Sequence, residues 1–289
     1  GGENQYRGST GLLPVNQSKN SNPLFNAFLN ASSEAGHKIN PDMNGEFQEG
    51  MGMFDTTIHK GERASVSKYY LNPVKKRKNL NIFSNSFVEK IIFEGKKAIG
   101  IEVKIKNKIE KFYAQKEVIL SGGSINSPQL LMLSGIGPKA HLAAHNIPLE
   151  HALEGVGGNL QDHLTVVPLC KANTAKGTFG VSVKGAASII KGCAQWFSKR
   201  SGILTSNFAE SHAFINVLDN SPAPDIQLEF VIGLVDDHSR KVHLGHGYSI
   251  HSSIMRPKSR GTIRLANSDP RSAPLIDPNY LSPPDDLSL

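Results

Sequence analysis

The apolar positions of this chain change their spacing along its length, and each change predicts a different kind of element. Between 22 and 31, Leu24, Phe28 and Ala31 recur at helical spacing, with Pro23 near the start and Gly36 just past the end, which predicts an amphipathic helix. Residues 64–73 predict a second, short helix that stops at Pro73. From 80 onward the period shortens towards two. Residues 80–83, 87–93, 98–105 and 109–113 read as strands, with tight turns at Glu94-Gly95-Lys96 and Lys106-Asn107-Lys108. The run Glu117-Val118-Ile119-Leu120 has the character of a buried strand and leads into Gly122-Gly123. Ser127 then has the chemistry of an N-cap, Pro128 suits a first helical position, and Ser134-Gly135 closes a helix of about two turns.

After His163 the character changes. Residues 171–184 are small and polar and predict a loop, and Ala186, Ile189, Ile190, Cys193, Trp196 and Phe197 follow at helical spacing. Strand-like runs return at 213–217, 226–232, 248–255 and 261–265, and no internal repeat is visible. The pattern as a whole predicts an α/β (α+β mixed) chain. A β-meander feeds an open nucleotide-binding sheet whose strand ends at the glycine pair, and a mixed or antiparallel sheet with helices packed on it follows. The expected divisions are a linking segment over 1–75, part of the nucleotide-binding domain over 76–164, and a second domain over 165–289.

Composition narrows this picture. The 289 residues are 38% hydrophobic with a mean hydropathy of -0.28, as expected of a soluble globular protein of about two domains. No apolar run approaches the ~18 residues that span a bilayer. No signal peptide is visible, and the chain opens at Gly1-Gly2 without methionine. Two cysteines, Cys170 and Cys193, are too few for a disulfide framework and predict reduced thiols in a cytoplasmic protein. The net charge of +7 comes largely from Lys75-Lys76-Arg77-Lys78, Lys96-Lys97, and Lys104, Lys106, Lys108 and Lys111. Aromatic residues make up 7% and do not alternate with these bases, so the pattern predicts no nucleic-acid platform. A solvated surface with some attraction to anionic lipid is the expectation.

The stretch from Gly122 to Pro138, Gly-Gly-Ser-Ile-Asn-Ser-Pro-Gln-Leu-Leu-Met-Leu-Ser-Gly-Ile-Gly-Pro, closely resembles the second signature of the glucose–methanol–choline (GMC) flavin oxidoreductases. Further blocks resemble that family in the same order. They are Tyr6-Arg7-Gly8-Ser9-Thr10-Gly11-Leu12, Asn44-Gly45, Gln48-Glu49-Gly50, Arg63-Ala64-Ser65 and Tyr70-Leu71-Asn72-Pro73. After the signature come Val156-Gly157-Gly158-Asn159-Leu160-Gln161-Asp162-His163, Arg256-Pro257-Lys258-Ser259-Arg260-Gly261-Thr262-Ile263 and Asp277-Pro278-Asn279-Tyr280. Arg7 and Leu13 depart from the family pattern. The pattern is most similar to choline and alkanol dehydrogenase-like members.

The resemblance implies FAD as cofactor and a reaction in which a histidine base deprotonates a primary alcohol while hydride passes to the flavin. It implies flavin contacts at Val88, through its backbone, and at Ser121, Gly122 and Gly123. It also implies a middle segment of a longer enzyme, lacking both ends. No Gly-x-Gly-x-x-Gly fingerprint is present, and the family's histidine base and its partner are expected beyond Leu289, so no catalytic residue is assigned here. Choline-acting members carry a glutamate two residues after the Gln-Asp-His block, and Thr165 stands there in this chain. A hydroxyl lacks the charge to attract an ammonium, so the expected substrate is a neutral alcohol. Glu210 and Glu229 are the alternative carboxylates, and Thr165 and Glu229 are the substrate-pocket candidates.

Other chemistry is weaker. His163 is not the family's base, and Asp162 reads as a cap. Asp236-Asp237-His238, His243, His246 and His251 lack the spacing of a common zinc site, so no metal is expected. Gly122-Gly123-Ser124-Ile125-Asn126 fails the nucleophile elbow because Asn126 replaces its last glycine. Ile189, Ile190, Cys193, Trp196 and Phe197, with Lys191, Lys199 and Arg200, read either as an interfacial helix, predicting peripheral contact at the inner membrane, or as a face that packs on the second domain or a partner subunit. The reading from another class is a non-catalytic structural or interaction module.

Overall fold

The computed structural model describes residues 3–18, 22–218, 221–237 and 240–289. Helix α1 spans Pro23–Glu34 and strand β1 Gly50–Met53. Strands β2 (Ser86–Glu94), β3 (Lys97–Ile105) and β4 (Lys108–Tyr113) precede helices α2 (Gly123–Leu133) and α3 (Lys139–Ala144). Strands β5 (Thr165–Val166), β6 (Leu169–Ala172) and β7 (Phe179–Val181) lead to helix α4, Val183–Lys199. Strands β8 (Ala209–Ile215), β9 (Ile226–Val231), β10 (Gly245–Ile254), β11 (Thr262–Arg264) and β12 (Leu275–Asp277) complete the set used below. The chain divides into two compact units, one of residues 1–80, 163–256 and Leu289, the other of residues 81–162 and 257–288.

The first unit is built on an antiparallel sheet of order β5-β10-β9-β8-β1, with β6 and β7 also paired to β10. Helix α1 covers one face. Asn22 caps it by accepting from Leu24 N–H, and Pro23 occupies its first position, where no N–H is needed. The expected face of Leu24, Phe28 and Ala31 omits the residue that matters most. Phe25 is fully buried and meets Phe230 of β9 edge-on at 6.2 Å, while Phe28 stacks on the same ring at 5.0 Å. Burying such a side chain is worth about 2–3 kcal/mol. Instead of a regular helix over 64–73, the chain makes a single π turn, Ser67–Leu71, closed by Asn72 N–H donating to Ser67 C=O.

Two sequence expectations about this unit change. The small, polar stretch 171–184 contains β7, because Gly180 lets the backbone lie against β10; a Cβ there would sit 1.8 Å from Gly245 O. Sheet pairing is non-local, and small residues do not forbid it. Helix α4 also faces differently from the predicted interfacial helix. Gly185, Ile189, Gly192, Cys193 and Trp196 lie on its buried or half-buried side. Trp196 Nε1–H donates to Gly61 O (2.7 Å), and Arg200 covers the indole at 3.8 Å while pairing with Glu62 at 3.0 Å. A buried indole N–H needs an acceptor, and the 58–63 hairpin supplies it. Of the predicted outward set, Ile190 and Phe197 are exposed.

The second unit joins a three-stranded meander, β2-β3-β4, to α2 and α3. The Lys106-Asn107 turn has both residues at positive φ (46° and 67°), as a tight two-residue hairpin requires. Met132, Leu142, Val156 and Leu265 form the core. Helix α2 begins at Gly123, so Ser127 is not its N-cap and Pro128 sits inside it, at the cost of one backbone hydrogen bond. Residues 117–120 are not a strand: among the described residues nothing pairs with them, and Ile119 is 77% exposed. Residues 81–83 are likewise irregular, with Phe83 lying on Phe112 at 5.1 Å. Residues 257–288, which sequence grouped with 165–256, pack in this unit. Ile263 N–H donates to Gly157 O (2.7 Å) and Leu265 N–H to His141 Nε2 (3.0 Å). Gly157, at φ 70°, has no room for a Cβ, which would lie 2.2 Å from Ile263 O.

Candidate functional site

In the second unit a cleft of about 490 Å³ opens between the meander and α2. Val88, Ile91 and Ile101 form one wall, Leu130 and Leu133 of α2 the other, and Ser121, Gly122, Asn126 and Gln129 give it polar edges. The register explains the first wall, since Ile91 pairs directly with Ile101 and side chains of paired residues project together. A buried serine sets the second. Ser134, at the end of α2, accepts from Ile91 N–H (2.9 Å) and donates to Leu130 O (2.6 Å), tying helix to strand.

Val88, Ser121 and Gly122, distant in sequence, converge on this cleft. Gly123 does not line it but sits beside it, exposed, at φ 77°. The two glycines have different local reasons. A Cβ on Gly122 would lie 3.1 Å from Ser127 N, inside the first turn of α2, whereas Gly123 needs the left-handed conformation that glycine tolerates. Sequence reasoning missed Ile91, Ile101, Asn126, Gln129 and Leu130. Strand alternation groups Ile91 with other β2 residues, but the face that meets α2 is set by Ser134, 43 residues away. A cleft with apolar walls and polar edges suits an aromatic group such as an adenine ring. The first N–H groups of any helix lack an intrahelical acceptor, and those of α2 receive no side-chain cap in its place. The residues present fit part of a flavin dinucleotide.

In the first unit the sheet face opposite α1 is polar. Thr165 pairs with Ser253, Glu229 with both His251 and His212, and all of these project to one side. Thr165 is exposed, with Oγ1 2.8 Å from Ser253 Oγ. Glu229 is half-buried, accepts from Gln227 Nε2 (3.1 Å), and lines a cavity of about 520 Å³ with Phe54, Asp55 and Asn207. Glu210, the other carboxylate considered, is 4% exposed and accepts from the Ser18 hydroxyl. His212 was not singled out by sequence. It is buried, stacks on Phe54 at 3.6 Å, and its Nδ1 has no hydrogen-bond partner among the described residues. Burial lowers its pKa to about 4, against a weaker opposing pull from Asp55.

The remaining candidates disperse. Tyr280 O–H donates to Asp162 (2.6 Å), and burial followed by Asp162 raises the phenol to about 12. His243 meets Asp236 at 2.8 Å, His246 meets Ser182 at 2.6 Å, and His251 meets Ser249 at 3.3 Å. His238 lies outside the described residues. Among the described residues no three His, Cys, Asp or Glu side chains come together as a metal group.

Residues 3–165 match the family model described as GMC oxidoreductase, and the chain belongs to that family. It is 41% identical over 287 residues to the alcohol dehydrogenase [acceptor] of Pseudomonas putida, covering 99% of this chain and 52% of that protein. It is 41% identical over 286 residues to the mitochondrial choline dehydrogenase of Mus musculus, covering 99% and 48%. It is 39% identical over 289 residues to the oxygen-dependent choline dehydrogenase of Brucella ovis, covering 99% and 52%. The chain thus spans about half the length of the curated relatives it matches. Its fold is also that of solved structures. A formate oxidase of Aspergillus oryzae RIB40 superposes with a TM-score of 0.85 at 23% identity, covering 97% of this chain and 54% of that one. Pyridoxine 4-oxidase from Mesorbium loti gives 0.78 at 26%, covering 97% and 51%.

Proposed function

We propose that the protein containing this chain is an FAD-dependent oxidoreductase that converts a primary alcohol to an aldehyde. The observation that carries this is the convergence of Val88, Ser121 and Gly122 on one apolar-walled cleft in a chain of the GMC family. Bound flavin supplies the hydride acceptor, and the protein supplies position and electrostatics. The β2 backbone at Val88 and the turn at Ser121-Gly122-Gly123 hold the dinucleotide, while the apolar walls exclude water. The polar sheet face around Thr165 and Glu229 holds the alcohol. Thr165 offers a hydroxyl and no charge, which supports a neutral alcohol over a cationic one. No residue of this chain is assigned the role of base. The enzyme works in the cytoplasm, in peripheral contact with the inner membrane, a compartment supported by the free thiols of Cys170 and Cys193.

The test uses the full-length protein. It should purify with bound flavin and reduce a dye with octan-1-ol at a kcat/KM about tenfold or more above that with choline. Val88→Glu should lower flavin content without changing the substrate order. A flavin-free protein, or a preference for choline, overturns the proposal.

A further inference from the structure

The outward side of α4 is an unbroken apolar row. Val183, Ala187, Ile190, Ala194 and Phe197 are spaced by four, three, four and three residues, which keeps them on one face for about 21 Å of helix. Every one is exposed; Val183 is 88%, Ile190 71% and Phe197 77% accessible. The row continues beyond the helix start, where Val181 bridges to Leu244, both exposed. The opposite face carries Gly185 and Gly192, buried, and Trp196, bonded to Gly61. The side chain that most often marks a lipid interface is therefore used inside the fold, and the free surface is aliphatic with one phenyl ring.

The charged side chains of α4 itself have one sign. Lys184 and Lys191, one heptad apart, border its length, Lys199 stands in the last turn, and the 17 residues of α4 include no Asp or Glu. Beyond the other end, the segment leading to Leu244 carries Lys241 together with Asp236, which is bonded to His243, and Asp237. Arg200 does not belong to the border, because Glu62 and Trp196 engage it. An aliphatic strip on a helix that carries lysines and no carboxylate of its own is complementary to a surface that is apolar inside and negative outside. Among the described residues no helix is long and apolar enough to cross a membrane. We propose that α4 docks flat on an anionic bilayer, with Val183, Ile190 and Phe197 in the acyl boundary and Lys184 and Lys191 at the phosphates. This rests on the membrane contact proposed above and not on the alcohol chemistry.

The full-length protein is floated with vesicles of phosphatidylglycerol and phosphatidylethanolamine, and separately with phosphatidylcholine alone. Wild type should float with the anionic vesicles only. Ile190→Ser combined with Phe197→Ser should weaken partitioning by about tenfold or more. Lys184→Gln and Lys191→Gln should each weaken it roughly fivefold and flatten its dependence on salt. Flavin content and dye reduction of these variants should match wild type, so that loss of docking and loss of the enzyme are read separately. Three results overturn the inference. One is equal flotation of wild type and the double variant. Another is no flotation by wild type. The third is a soluble dimer that Ile190→Ser with Phe197→Ser dissociates, which makes the row a protein interface.

Discussion

The cleft of the second unit and the polar sheet face of the first are assembled in opposite ways. Apart from a proline from 257–288, the cleft draws on one stretch of chain, from Ser86 to Leu133, in which hairpin turns and one buried serine bring the walls together. The sheet face draws on β1, β5, β8, β9 and β10, spread over about two hundred residues, and its register is set by strand pairing alone. Two histidines outside the cleft lining also differ between the units. His141 in the second unit accepts Leu265 N–H at Nε2, so its neutral form has a partner. His212 in the first unit is buried with Nδ1 unpartnered and a phenyl ring against it. The His141 contact spans 124 residues, so distance along the chain does not decide whether a buried polar group is satisfied; the groups that the fold brings against it do.

The largest test of that contrast is Phe25→Ala. It should destabilise the first unit by about 3–5 kcal/mol, seen in urea unfolding, while Ile91 and Leu130 in the second unit keep their amide protection. Equal loss of protection in both units would break the comparison. Acid should come next. His212 has a folded pKa of about 4 against an ordinary 6.5, so it favours the folded state fully above pH 6.5 and loses that contribution as pH falls towards 4. The shift corresponds to on the order of 3 kcal/mol. His141 is also lowered, chiefly by burial and then by His145 and Arg264, and so acts in the same direction. His212→Phe should flatten the pH dependence of unfolding between 6.5 and 4; an unchanged slope would show that His212 does not stay neutral in the fold.

Ser134→Ala follows, at about 1–3 kcal/mol, because it leaves the buried Ile91 N–H without an acceptor. In the full-length protein it should also raise the flavin dissociation constant, since it loosens one wall of the cleft. Stability loss with unchanged flavin affinity would separate the cleft from the cofactor. The smallest effect belongs to Thr165→Ala, whose hydroxyl contact with Ser253 is exposed. Stability should change by no more than about 0.5 kcal/mol, and any shift in alcohol kcat/KM then reports on the sheet face as a binding surface.

Periodicity and turn residues alone determined much of this protein. The helix over α1, the three meander strands, both hairpin turns and the strands β8 to β10 follow from local pattern, because side-chain alternation and left-handed turn residues act over a few positions. The ordered motif blocks marked the family, and with it Val88, Ser121 and Gly122. Tertiary structure decided the rest. Glu117-Val118-Ile119-Leu120 has strand composition, yet a strand exists only where a neighbour bonds it. Gly123 starts α2 five residues before the proline that local rules would place first. The side of α4 that carries Trp196 turned inward because Gly61 O, far away in sequence, accepts its N–H. His212 became an isolated neutral imidazole only because β8 pairs with β1 and β9 and the chain after β1 lays Phe54 over it. Spacing specifies which residues share a face, but what covers that face is set by contacts between residues far apart in the chain, and burial, charge state and exposure follow from that cover.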